Sequence, residues 1–181
     1  MKKTSKYLLL AVLCAAGIVA AATTPRVSGN VLKGVETSLD DRIKSFWPDN
    51  LFSVTRLTRG LYLDGYGAVF TMDVSPVLST TSMMHPTVTK EEVVKAHKVR
   101  IERIAQLRQV MPMAVADAAA SLDPVPAEDQ ITIVVYLTYH SWEDVSGTPA
   151  QLTFRGKKKA LLDAKRAGGA AVAQAVTVTE N

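Results

Sequence analysis

In Gly60-Leu61-Tyr62-Leu63-Asp64-Gly65-Tyr66-Gly67-Ala68-Val69-Phe70-Thr71-Met72-Asp73-Val74, two strand-like runs meet across Asp64-Gly65. Aspartate followed by glycine between such runs is a strong short-range hairpin signal, because both central residues of a type I′ turn need positive φ. The second arm alternates, with Ala68, Phe70 and Met72 on one face and Val69, Thr71 and Asp73 on the other. That period of two marks a half-buried strand. Upstream, Leu51-Phe52-Ser53-Val54-Thr55-Arg56-Leu57 alternates in the same way. Downstream, Pro76 stops the run, since proline cannot donate to a strand ladder.

Working outward, Gln130 to His140 reads as the central strand: it is β-branched and aromatic nearly throughout, the composition that suits a pleated, buried surface. Gln151 to Arg155 reads as its hairpin partner, Lys157 to Arg166 as a short helix closed by Gly168-Gly169, and Val172 to Thr179 as an edge strand or tail. Between the two strand regions, Thr89-Lys90-Glu91-Glu92 forms a capping box, with Val88 and Val93 at the staple positions. At 100° per residue, Val93, Val94, Ile101, Ile104, Ala105, Leu107 and Met111 share a broad apolar face. Pro112 is expected to kink or end this helix. A further short helix is expected over 31–46, stopped before Pro48. The fold class is therefore α+β: a mainly antiparallel sheet covered on one face by a long amphipathic helix.

The first 22 residues have a different purpose. Lys2, Lys3 and Lys6 precede an uncharged apolar run from Tyr7 to Ala20, and Ala20-Ala21-Ala22 offers small residues for cleavage. The run is shorter than the roughly 20 residues of a bilayer span and has the layout of a secretory signal peptide. The expected organisation is a signal at 1–22, cleaved near Ala22, and one α+β domain at 23–181, in the periplasm or secreted. An uncleaved N-terminal membrane anchor is the alternative.

Cleavage changes the charge balance. The whole chain has a formal charge of +4, but the signal holds three lysines and no acid, leaving 18 basic and 17 acidic side chains. Its one cysteine, Cys14, also lies in the signal. A nearly neutral exported chain argues against nucleic acid as a partner, and a thiol enzyme has no thiol to use. Charge is nonetheless uneven along the chain. Residues 109–154 contain six acids and no lysine or arginine, whereas Lys157, Lys158, Lys159, Lys165 and Arg166 cluster just beyond. Such a cluster suits peripheral contact with an anionic membrane, or a solvated face balanced by the acidic stretch.

Signatures of catalysis are missing. No serine sits in a Gly-x-Ser-x-Gly elbow, and neither a phosphate-binding loop nor a dinucleotide fingerprint occurs. No cofactor and no catalytic residue is assigned. His140-Ser141-Trp142-Glu143-Asp144 could supply three metal ligands but has no specific spacing. His97 and Arg108 fall on the apolar face of the long helix. They read either as a hydrogen-bonded core histidine and a snorkelling arginine or as a polar pocket between helix and sheet. Tyr62 and Tyr66 flank the turn and offer a stacking surface, beside glycines that the turn already explains.

The stretch Arg59 to Thr71, with its Gly-Tyr-Gly-x-Val-Phe core at Gly65 to Phe70, resembles a segment of an uncharacterised group of exported bacterial proteins. The resemblance covers under a tenth of the chain. It implies bacterial export and carries over no functional residue. The expected function is a non-enzymatic periplasmic binding or envelope-associated protein, taking an apolar ligand or an envelope protein through Tyr62, Tyr66, His97 and Arg108. Two other readings are a small metal-dependent hydrolase centred on His140, Glu143 and Asp144, and a structural subunit assembled through an edge strand.

Overall fold

The computed structural model describes residues 27–50, 53–78 and 87–181. The segment 1–22 expected as a signal, residues 23–26, Leu51-Phe52 and residues 79–86 lie outside the described residues. In chain order the elements are α1 (Gly29–Phe46), β1 (Val54–Leu63), β2 (Gly67–Val74), α2 (Lys90–Ser121), β3 (Gln130–Leu137), β4 (Gln151–Lys157), α3 (Lys158–Ala167), α4 (Gly169–Ala175) and β5 (Thr177–Glu180). The strands form one sheet in the order β1-β2-β3-β4-β5. Every neighbouring pair is antiparallel except β2 and β3, which run parallel. Parallel neighbours need a crossover of a dozen or more residues, and α2 is that crossover. The class is α+β, with a mostly antiparallel sheet and the long helix in place.

The hairpin forms, but its turn differs from the expected type. The Tyr66 N–H donates to the Leu63 carbonyl at 3.0 Å. Of the two central residues only Gly65 has positive φ, at 74°. Positive φ at the second central position alone is the type II pattern, which needs glycine there and leaves Asp64 in ordinary backbone. Gly67, with φ of 128°, is held by a close approach: a Cβ there would come within 2.0 Å of the Gln130 carbonyl oxygen.

The core lies on one face of the sheet. Ala68, Phe70, Met72 and Val74 align with Ile131, Ile133, Val135 and Leu137, and these with Leu152 and Phe154. All are buried and join a single cluster with Leu39, Ile43, Ile104, Leu107, Met111 and Val115. The α2 capping box is complete, with the Glu92 N–H donating to Thr89 Oγ1 at 3.2 Å and the Thr89 N–H to Glu92 Oε2 at 2.8 Å. α2 continues through Pro112 to Ser121. Its buried face is Ala96, Arg100, Ile104, Leu107 and Met111, while Val94 is 70% and Ile101 48% exposed. Relative to the face expected from apolar residues, the helix is turned by about a sixth of a turn, because a buried arginine lies near the centre of the buried face.

The C-terminal reading also changes. Gly168, at φ 111°, ends α3, and the alanine-rich run that follows is α4, which buries Val172. Alanine favours helix over strand, so only Thr177–Glu180 remains for β5.

α1 closes the free edge of β1. The Thr58 N–H and hydroxyl both donate to Asp40 Oδ1, at 3.0 and 2.5 Å, and the Gly60 N–H donates to Glu36 Oε1 at 2.8 Å. Four helical residues rise about 6 Å and two strand residues about 6.8 Å, so carboxylates at i and i+4 match alternate N–H groups of the strand. Asp40 and Thr58 are buried. Burial alone would push the Glu36 carboxyl up. The hydrogen bonds from Lys33 and Gly60, with the charges of Lys33 and Arg59, outweigh it and hold the group below its ordinary value.

Candidate binding surface

The residues singled out in the sequence do not converge. Tyr62 and Tyr66 point to opposite faces of the sheet. On the core side, the Tyr62 hydroxyl donates to Asp129 Oδ2 at 2.8 Å. Burial and then the Asp129 carboxylate push its ionisation up to about 12. On the other side, the Tyr66 hydroxyl lies 3.0 Å from Thr132 Oγ1. The two rings therefore form no common stacking surface.

His97 and Arg108 sit on the flank of α2 rather than at the centre of its buried face. His97 Nδ1 is 2.9 Å from the Asp144 carbonyl oxygen. Arg108 grips Glu180 of β5 with two hydrogen bonds, at 2.6 and 2.9 Å. The pairing with Glu180, against some burial, raises the guanidinium; the same bonds, against burial, lower the Glu180 carboxyl. The space expected as a polar pocket between helix and sheet is occupied by Ile104, Leu107, Met111, Phe70 and Phe154.

Arg100 is the residue that sequence reasoning missed. Its side chain is 1% exposed and pairs at 3.4 Å with Glu143, also 1% exposed. It donates further to the Thr138 carbonyl and to Thr148 Oγ1, both at 3.1 Å. Burial pulls this guanidinium below its ordinary value, with Glu143 opposing. Arg100 thus pins both ends of the loop 138–150 to α2. The spacing Ala96-Arg100-Ile104-Leu107-Met111 could have revealed it, since a charge at the centre of a continuous helical stripe needs a buried partner.

This clamp also decides what the possible metal ligands do. One Glu143 oxygen faces Arg100 and the other accepts the His140 N–H at 2.7 Å. Asp144 accepts the Ser146 N–H at 2.9 Å, and that bond lowers its pKa most. The His140 ring stacks on Trp142 at 5.6 Å. Among the described residues no group of three or more histidine, cysteine or acidic side chains could hold a metal ion.

Within the basic cluster, Lys158 is buried. Its ammonium donates to the carbonyls of Leu122, Asp123 and Val125 at 2.7, 3.1 and 2.7 Å, capping the carbonyl end of α2 where cations are favoured. It is therefore not part of an exposed membrane-facing patch. Lys165 pairs with Asp117 at 2.7 Å, Lys157 with Glu128 at 3.5 Å and Arg166 with Asp163 at 3.3 Å. Elsewhere, an open cleft of about 340 Å³ lies between Val77, Leu78, Ala96 and Val99, with Arg103 at its rim. That arginine is committed to Asp49, to the Pro76 carbonyl and to the Trp47 ring.

The surface that remains is the second face of the sheet. Register places Arg59, Leu61 and Leu63 of β1, Val69, Thr71 and Asp73 of β2, Thr132, Val134 and Tyr136 of β3, and Thr153 and Arg155 of β4 on it. None belongs to the buried hydrophobic cluster, and Leu61, Leu63, Tyr66 and Tyr136 are each about two-fifths exposed or more. Thr132 is buried on this side because it lies beside Tyr66. Arg56 pairs with Asp73 at 3.4 Å, but Arg59 and Arg155 make no ion pair among the described residues. The result is an apolar centre with a basic margin. No helix among the described residues is long and apolar enough to cross a membrane. No family model, no curated protein and no solved structure matches this chain.

Proposed function

We propose that this is an exported, non-catalytic binding protein that docks an acidic envelope protein on the open face of its sheet. The observation that carries the reading is the one-sided layering: the core gathers on one face, and the other exposes Leu61, Leu63, Tyr66 and Tyr136 beside Arg59 and Arg155. Contiguous apolar patches rimmed by polar groups are uncommon on chains that work alone. An apolar centre with a charged rim is the anatomy of a protein interface. The unpaired arginines favour an acidic partner and would speed its encounter. The signal-like segment at 1–22 supports export, and Glu143 is committed to Arg100 and to the His140 backbone N–H rather than to an open site.

A photoreactive residue placed in living cells at Leu61 or Tyr136, and separately at Glu102 on α2, tests the idea. Adducts are expected from the two sheet positions alone, and they are expected to vanish when Arg59 and Arg155 are both changed to glutamate. Equal adducts from Glu102, or adducts indifferent to the charge reversal, would count against the open face. N-terminal sequencing of the same protein is expected to begin at Thr23; a chain that retains Met1 would refute cleavage.

A further inference from the structure

The two edges of the sheet are treated differently. At β1, the outward N–H groups of Thr58 and Gly60 end on the carboxylates of Asp40 and Glu36. At β5, the other edge, no comparable cover is present among the described residues. Gln151 and Asn181 exchange both backbone bonds, at 3.0 and 3.2 Å. In an antiparallel ladder such pairs alternate with pairs whose polar groups point away. Thr179 and Thr177 therefore bond inward to Thr153 and Arg155, while the N–H and C=O of Val178 and Glu180 face outward. No other hydrogen bond among the described residues reaches those four groups. All four residues of β5 are exposed, Val178 included.

We infer that β5 is a pairing edge for a second copy of this chain, related by a two-fold axis through Thr179. In that register Val178 lies opposite the second copy's Glu180, and Glu180 opposite its Val178. Each such pair exchanges two backbone bonds, so all four outward groups of each copy are satisfied with none left over. An isologous contact of this kind closes on itself and does not propagate into a fibre. Thr179 meets its own equivalent on the open face, a favourable cross-strand pair. The two Glu180 carboxylates do not face each other, and each stays with the Arg108 that already holds it. The dimer would join two sheets edge to edge and make their open faces continuous. The inference does not rest on the open-face reading, because the edge pairs whether or not that face binds anything.

The test uses the full chain as the cell processes it. Light scattering across a dilution series is expected to give a dimer that dissociates reversibly. Val178→Pro removes one outward N–H that has no partner within a single copy, so the fold is expected to persist while the dimer is lost. Thr179→Lys, which sets two like charges opposite each other, is expected to give the same result without any backbone change. With Cys14→Ser as background the chain has no other cysteine, and Cα atoms in a directly opposed, non-bonded pair are about 4.5 Å apart, within disulfide reach. Thr179→Cys is then expected to form covalent dimers on mild oxidation, and Thr153→Cys, one strand inside the edge, is not. A chain that stays monomeric at every concentration, a dimer that survives both Val178→Pro and Thr179→Lys, or equal cross-linking at Thr153 would each overturn the inference.

Discussion

Replacing Asp40 with alanine removes a single carboxylate from α1 and unpairs two donors on β1. The Thr58 N–H and hydroxyl both end on Asp40 Oδ1, and both residues are buried. Water cannot readily take over at such a site. A hydrogen bond to a charged acceptor contributes about 1.5–3 kcal/mol, and a stranded buried donor costs about 1–3 kcal/mol. The hydroxyl can rotate toward another acceptor, but the N–H cannot. The expected loss is therefore about 3 kcal/mol, set against a total stability of about 5–15 kcal/mol for a domain. With a urea slope of about 2 kcal/mol per molar, the unfolding midpoint should fall by about 1.5 M at unchanged slope. Asp40→Asn separates hydrogen bonding from charge, since its amide oxygen can still accept both bonds. It is expected to recover more than half of the loss. A midpoint for Asp40→Ala within about 0.3 M of the parent on that same slope would refute the account of the sealed edge. So would Asp40→Asn behaving as badly as the alanine variant.

Three further outcomes are expected. Glu36 has its folded pKa below the unfolded value, so its contribution is present above the ordinary carboxylate range and fades as pH falls through the depressed folded pKa; Glu36→Gln should flatten the acid limb of a stability-against-pH profile, and an unchanged limb would contradict the assignment. Tyr62 runs the other way: with its folded pKa pushed up to about 12, above the roughly 10 of a free phenol, its contribution is full below the unfolded pKa and lost as pH rises toward 12, so an ultraviolet titration of the parent should show a late phenol that Tyr62→Phe removes. Arg100→Met should cost about 3–5 kcal/mol by stranding Glu143 and should raise hydrogen exchange throughout 138–150, whereas Arg100→Met combined with Glu143→Gln should regain part of the melting temperature; a double variant as unstable as the sum of the singles would show that the two residues do not act as a pair.

Local chemistry was legible wherever a short stretch carries its own geometric requirement. The capping box at Thr89 and Glu92 and the hairpin at Gly65 are of this kind, and both formed. The turn type was misjudged because a dipeptide does not show where the ladder closes; three residues, Asp64 to Tyr66, connect the strands, and only Gly65 needed positive φ. The buried face of α2 was misplaced for a different reason. Ranking residues by hydrophobicity favours Val94 and Ile101, which are exposed, over Arg100, which is buried with Glu143 more than forty positions away. Alternation in β2 correctly sorted Ala68, Phe70 and Met72 onto the core face and Val69, Thr71 and Asp73 onto the other. It could not show that one face would remain open, since that depends on where the helices settle. The same limit hid the separation of His97 from Arg108, whose partners, Asp144 and Glu180, belong to elements late in the chain.

The parallel pairing of β2 with β3 has a consequence for how the molecule is made. Gly67 is matched to Gln130 and Val74 to Leu137, so the centre of the sheet closes only after the whole of α2 intervenes. Synthesis and export both deliver the chain N-terminus first, so a hairpin of β1 and β2 formed before β3 arrives would leave Ala68, Phe70, Met72 and Val74 bare on one face and the β2 edge unmatched. Contacts of such long separation slow folding, because the closure entropy precedes the reward. Glu36 and Asp40 are near enough in sequence to cap β1 during that interval. Such a hairpin would have its β1 edge covered by the Asp40 and Glu36 contacts and only its β2 edge open, which leaves β3 as the strand it still needs.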